Sequence, residues 1–274
     1  MKNTKKKATQ KIDFVILWVD GKDPAWLKEL DHYKPLHKDN GADKNRFRDW
    51  ELLRYWFRGV ESFAPWVNHI YFVTCGHYPD WLNLSHEKIT LVKHEDFMPA
   101  DCLPTFNSNA IEMFLHKIPG LSETFVAFND DMFLTAPVAE SDFFINGIPR
   151  ECALLDAPAP EHIRNILPHT LLNNAAVINS HFHKKEVLRK HFFKFFSPAY
   201  GKDLIRNLLL APLKYFSCFR SPHAPMSHLK ESFESLWALE EELLSTTAHH
   251  RFRNTEDVTH WLMKDYRLCE GRFI

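Results

Sequence analysis

The sequence predicts an α/β fold: a mostly parallel sheet followed by a helical C-terminal half. Three observations predict it. Short apolar runs without polar interruption recur at residues 14–19, 69–74 and 124–128, as expected of strands buried on both faces. Stretches of helical spacing separate them, and parallel strands need such crossovers. After residue 160, strand-like runs give way to a succession of helical patterns.

Each element has a local reason. Residues 1–11 form a basic tail without an apolar stretch. The run 14–19 ends at the turn Asp20-Gly21, and Pro24 opens a helix to about residue 33. Residues 36–48 are polar and read as a loop. Asp49 caps a helix from residue 50 to about 63, closed before Pro65. The second strand, 69–74, ends at Cys75-Gly76, and a third runs over 88–93. A helix over 107–117 is capped by Asn107 or Ser108. The fourth strand, 124–128, ends in Asn129-Asp130-Asp131, and residues 151–155 offer a fifth. Helices are then expected at 161–169, 184–196, 202–216, 227–244 and 255–266. The division is a tail at 1–11, an α/β core at 12–160 and a helical part at 161–274. Trp18, Trp50, Trp56 and Trp66 are expected in the core.

Composition narrows the function classes. The 274 residues carry a formal net charge of −1, which argues against nucleic acid as a partner. No apolar run approaches a membrane span. Five scattered cysteines without a CxxC pair fit reduced thiols and a cytoplasmic location. With 8 glycines there is neither a GxGxxG nor a GxxxxGK[ST] loop, and the 17 histidines include no HExxH pair, so most are expected at the surface or in caps.

The chemistry concentrates where strands end and helices begin. Ligands of α/β proteins gather at the carboxyl ends of strands. Adjacent carboxylates there stay ionised at low cost when a cation lies beside them, so Asp130 and Asp131 are expected to hold a hard metal, Mg²⁺ or Mn²⁺. The competing reading is a polar turn. Asn107 and Asn109 lie at a helix start, whose backbone N–H groups suit phosphate. Arg46 and Arg48 bring guanidinium groups suited to the same ligand.

These residues fall in segments that resemble the Stealth proteins. Residues 12–23, Ile-Asp-Phe-Val-Ile-Leu-Trp-Val-Asp-Gly-Lys-Asp, are similar to the first conserved region of that family. Arg46-Phe-Arg-Asp49, Ala64-Pro-Trp66, Leu103-Pro-Thr-Phe-Asn-Ser-Asn-Ala-Ile-Glu112 and Phe128-Asn-Asp-Asp131 follow the second, with Ala127 where an aromatic is expected. Residues 174–182 and 251–258 resemble the third and fourth. The resemblance implies a GT-A-like or Rossmann-like nucleotide-sugar transferase core. It implies transfer of hexose 1-phosphate from a nucleotide sugar, a UDP-sugar in most members, to a sugar hydroxyl. UMP would leave, and a phosphodiester-linked capsule or exopolysaccharide would result. The acceptor would be an oligosaccharide or lipid-linked glycan. Glu112, Asp131, His223 and Arg253 match the family's catalytic residues. Asp20, Gly21, Arg46, Arg48, Asn107, Asn109 and Asn129 are the matching candidates for substrate binding. Either His223 or Glu112 takes the acceptor proton.

Each of these residues also has a structural reading. Asp20 suits a turn, Glu112 a solvated helix face, His223 a loop between prolines, and Arg253 a basic surface. Two other functions stay open: a metal-dependent glycosyltransferase releasing UDP, and a non-catalytic carbohydrate-binding module. Residues 201–216 place Leu204, Ile205, Leu208 and Leu209 on one helical face flanked by Lys202, Arg206 and Lys214. With the lysines of the tail, this suggests peripheral contact with the inner face of a membrane; the alternative is packing of that face on the core.

Overall fold

The computed structural model describes residues 11–34, 47 and 50–274. The rest of the basic tail, the loop at 38–45, Arg46, Arg48 and Asp49 lie outside the described residues.

Strand β1 (Ile12–Leu17) is followed by helices α1 (Pro24–Tyr33) and α2 (Leu53–Phe63), strands β2 (His69–Thr74) and β3 (Ile89–Lys93), the short α3 (Ser108–Glu112) and β4 (Thr124–Asn129). One turn of helix, α4 (Glu140–Phe143), leads into a small hairpin of β5 (Phe144–Ile145) and β6 (Ile148–Pro149). The C-terminal half contains α5 (Ile166–His181), α6 (Lys184–Lys190), α7 (Phe192–Phe195), α8 (Leu204–Leu210), β7 (Met226–Leu229), α9 (Lys230–Leu239), α10 (Glu241–His249) and α11 (Trp261–Glu270).

The main sheet has the order β3-β2-β1-β4-β7. Its first four strands are parallel, and β7 joins β4 antiparallel, Thr124 opposite Leu229 and Ala127 opposite Met226. Burial on both faces explains the uninterrupted apolar runs. Along β1, Phe14 and Ile16 face a core shared with Trp56 and Val60 of α2, whereas Val15 faces the core built from α5, α6, α9, α10 and α11. The C-terminal helices thus cover one face, and α2 with the stretch after β4 covers the other. A smaller cluster of Trp26, Leu30, Phe106 and Phe252 ties α1 to the loops before α3 and α11.

Local signals explain the ends of several elements. The Asp23 carboxylate accepts from Trp26 N at 2.7 Å and caps α1, with Pro24 in its first turn. Gly21 is required by close approach: a Cβ there would collide with the Phe47 carbonyl. Gly271 ends α11 at φ 75°, and its carbonyl accepts from Lys194 Nζ at 2.7 Å.

Several expected elements differ. The stretch 227–244 was expected as one helix, but its first three residues lie in β7, and two helices follow. Four residues of strand give too little alternation to outweigh the helical period downstream. Residues 151–155 make only an isolated bridge, Leu155 with Phe219. The helix expected at 161–169 begins at Ile166 and runs to His181, and the one expected at 255–266 begins at Trp261. The helix expected at 202–216 is regular only from Leu204 to Leu210. Trp18 and Trp56 are buried as expected, but Trp50 is 70% exposed. All five cysteines are free thiols.

Candidate active site

The carboxyl ends of β1, β2 and β4 open onto a cavity of about 470 Å³, within the usual range for small-molecule sites. Asn129, Asp130 and Asp131 reach it from the end of β4. Ser108, Asn109 and Glu112 reach it from α3, His223 from the loop before β7, and Arg253, Thr259 and His260 from the segment before α11. Trp18, Trp26 and Phe106 give it an apolar wall. The four residues matched to the family's catalytic centre therefore line one cavity.

They form two linked groups. In the first, His223 Nε2 lies 2.9 Å from both Asp131 oxygens, and both side chains are more than half exposed. The antiparallel direction of β7 makes this possible. Its N-terminal end lies beside the C-terminal end of β4, so a loop just ahead of β7 reaches the edge that carries Asp131.

In the second group, Arg253 Nη2 donates to Ser108 Oγ at 2.5 Å, beside Glu112. Glu112 is buried, and burial raises its pKa to about 7, against the pull of Arg253 and of its hydrogen bond with Ser108. His260 Nε2 stands 3.7 Å from Glu112 Oε2, too far for a hydrogen bond. The other ring nitrogen, Nδ1, lies 2.9 Å from Nε2 of His228, a fully buried residue of β7. Burial brings the His260 pKa down to about 3, helped by Lys264, and drives that of His228 well below its ordinary value. Both imidazoles are therefore neutral, and one N–H bridges them. Among the described residues, His228 Nδ1 is buried with no hydrogen-bond partner. A bare nitrogen tolerates that better than an N–H does, which assigns the bridging proton to His228 and leaves the Nε2–H of His260 facing Glu112.

A buried acid holds this part of the site. Asp257 accepts from Asn107 Nδ2 at 2.9 Å, Asn109 Nδ2 at 3.1 Å, Asn254 N at 3.0 Å and His250 Nδ1 at 2.6 Å. Asn107 is fully buried, caps α3 through Asn109 N and does not line the cavity. Asn173 Nδ2 donates to the carbonyls of Thr255 and Asp257, both at 2.8 Å, and Asn174 pairs with Thr259 through side chain and backbone. These bonds tie the middle of α5 to the segment that leads into α11.

Asp20 and Gly21 lie just past β1 and do not line the cavity. Asp20 N donates to His77 Nε2 at 2.8 Å, and Asp20 Oδ1 accepts from Lys22 N, as in a turn. His260, Asp257 and His228 were not singled out in the sequence, and Ser108 only as a possible helix cap. Nothing local marks them, and only the fold shows that His228 and His260 are buried and paired and that Asp257 is buried among four donors.

The donors at the end of β4 are all oxygen: two carboxylates and the Asn129 amide. That set fits Mg²⁺ or Mn²⁺, which take one or two carboxylates and complete their shell with water and phosphate oxygens. Among the described residues, the one cluster of three His, Cys or acid donors is Asp101, Cys102 and His249, and none of those lines this cavity.

Comparisons with known proteins identify the family. The model for Stealth protein conserved region 1 matches residues 10–38, and that for conserved region 2 matches residues 46–151. The chain is 41% identical to a capsular polysaccharide phosphotransferase of Streptococcus pneumoniae, over 98% of this chain and 80% of that protein. It is 43% identical to an exopolysaccharide phosphotransferase of Lactiplantibacillus plantarum, over 96% of this chain and 77% of the relative. A receptor polysaccharide phosphotransferase of Streptococcus gordonii is 42% identical over 96% and 80%. With such identity along nearly its whole length, the chain belongs to the Stealth protein family and is a phosphotransferase enzyme.

Proposed function

We propose that the enzyme moves a hexose 1-phosphate from a UDP-sugar to a sugar hydroxyl during capsule or exopolysaccharide synthesis. The observation that carries this reading is the meeting of Asp131, His223, Glu112 and Arg253 in one cavity at the carboxyl edge of the sheet. The acceptor oxygen attacks the phosphorus that bears the sugar. The bond from that phosphorus to the bridging diphosphate oxygen breaks, and UMP leaves. The bond from the sugar carbon to its own oxygen stays intact, which separates this reaction from glycosyl transfer.

His223 is the favoured base. It is exposed where an acceptor arrives, and its Nε2–H is held by Asp131, which leaves Nδ1 to take the hydroxyl proton. Arg253 faces charge that develops on the transferred phosphoryl oxygens. Glu112 is the competing base; its burial gives it a poorer approach to a large glycan. Asp131 with Asp130 would hold Mg²⁺ or Mn²⁺, which neutralises diphosphate charge when bound. The apolar wall of Trp18, Trp26 and Phe106 suits the planar base or a sugar ring. Asn109 and Asn129 also line the cavity and face the donor in this reading; Arg46 and Arg48, outside the described residues, are assigned to its phosphates by their chemistry. We place the reaction in the cytoplasm, on an oligosaccharide or lipid-linked acceptor at the inner face of the membrane.

Mass spectrometry of the released nucleotide tests the reading across a panel of UDP-sugars. UMP is expected, with turnover abolished by EDTA and restored by Mg²⁺ or Mn²⁺. Release of UDP would make the enzyme a glycosyltransferase and sink the proposal.

A further inference from the structure

Helix α8 (Leu204–Leu210) is turned inside out. Its Ile205, Leu208 and Leu209 are 60%, 56% and 73% exposed, whereas Asn207 is fully buried. A helix on a globular surface normally shows the reverse. Asn207 Oδ1 accepts from Leu155 N at 2.7 Å, and Nδ2 donates to the carbonyls of Ala153 and Phe195 at 2.8 and 2.6 Å. The polar side chain is thus the anchor, and the leucine face points outward. Apolar exposure continues on both sides, at Leu213 and Tyr215 and at Phe192 and Phe193 of the neighbouring α7, with Phe193 86% exposed.

The stretch of chain that forms this surface is strongly basic. Between residues 184 and 215 there are eight Lys or Arg against two acids, in a chain whose net charge is −1. Lys184 and Lys194 turn inward onto backbone carbonyls. Lys185, Arg189, Lys190, Lys202 and Lys214 are exposed. Of the two acids, Asp203 pairs with Arg220 at 2.8 Å.

We propose that the α7–α8 surface docks on an anionic lipid bilayer, with Ile205, Leu208 and Leu209 entering the interfacial layer and the exposed lysines of this stretch meeting lipid phosphates. A second copy of the chain is the weaker occupant. A symmetric contact would set one basic stretch against another, whereas an anionic leaflet complements it. The surface is also tied to the catalytic edge. The chain runs directly from it through Arg220 and Ser221, both held by Lys264, to His223. This gives a surface to the membrane contact proposed above. Its test reads binding alone, so failure of the transfer chemistry leaves it standing.

The experiment is co-sedimentation of the full chain with vesicles of phosphatidylcholine, with and without 30% phosphatidylglycerol. At low salt the protein is expected to pellet with the anionic vesicles at least tenfold better than with the neutral ones, and to dissociate in high salt. Ile205→Ser, Leu208→Ser and Leu209→Ser together should abolish pelleting while the melting temperature stays within a few degrees, because these side chains contribute little to the core. Lys202→Ala with Lys214→Ala should weaken it severalfold. A protein that stays in the supernatant, or a triple serine variant that still pellets, overturns the proposal. So does a dimer that the triple variant splits and that binds no vesicles.

Discussion

At the scale of single residues, the site is two acids in contrasting environments. Asp131 is exposed and paired with His223; Glu112 is buried beside Arg253. His223→Ala is expected to lower kcat roughly 100- to 10,000-fold while the donor KM changes little, as read by steady-state kinetics. An equal loss in KM alone would show that His223 only binds. Asp131→Asn should lose a similar factor without a change in the circular dichroism spectrum. Glu112 makes a prediction about stability. Its folded pKa, about 7, lies above the ordinary 4.5, so the folded state binds the extra proton between those values. Stability therefore falls as pH rises from about 4.5 to 7, and the loss is complete above 7. Glu112→Gln removes that penalty. The variant should be more stable than the wild type at pH 8, by up to about 3 kcal/mol, with the gap closing by pH 4.5. Thermal melts across that range decide it; a gap that is constant with pH would contradict the burial argument.

At the scale of elements, the loop before α11 depends on Asp257. Four donors converge on its carboxylate, from α3, from His250 and from its own turn. Asp257→Ala strands those buried donors and should cost about 3 kcal/mol, visible as a lower urea midpoint. Turnover should drop at least tenfold even where the variant remains folded, because Arg253 loses its support; unchanged turnover in the folded variant would show that the loop positions nothing. This element also shows what the sequence could reveal. The parallel strands were legible because burial on both faces writes an uninterrupted apolar run, and α1 because Pro24 marks its start; the Asp23 cap came from the structure. Strand β7 was not, since Met-Ser-His-Leu carries no period and owes its form to pairing with β4. For the site, Asp131 was legible from the abrupt end of an apolar run. His223 and Arg253 were legible only through resemblance, because nothing local distinguishes them from loop residues. Asp257 meets Asn107 and Asn109, His260 faces Glu112, and His228 meets His260, contacts between separate segments that no local pattern encodes. The α8 leucines were read correctly as one apolar face, but which way the face points was settled by Asn207.

At the scale of the whole molecule, the two halves share one sheet and the core on one of its faces. Phe233, Leu262 and Met263 from the C-terminal half pack with Val15 and Phe125 of the parallel strands, and β7 closes the edge of β4. A fragment ending at residue 160 is therefore expected to lack a cooperative thermal transition; a sharp melt from that fragment would show that the sheet folds without its partner helices. The order of the chain adds a consequence for its synthesis. Strand β4 leaves the ribosome about a hundred residues before β7. At roughly 5–20 residues per second, its flank stays uncovered for about 5–20 s. That flank belongs to Thr124-Phe-Val-Ala-Phe128, an apolar strand of the kind that recruits foreign strands when unpaired. Nascent chains stalled in this interval should be the ones that chaperones hold and that aggregate when expression is fast. In the proposed mechanism they are also catalytically silent, because Asp131 lacks His223 and Ser108 lacks Arg253 until both later segments have been made.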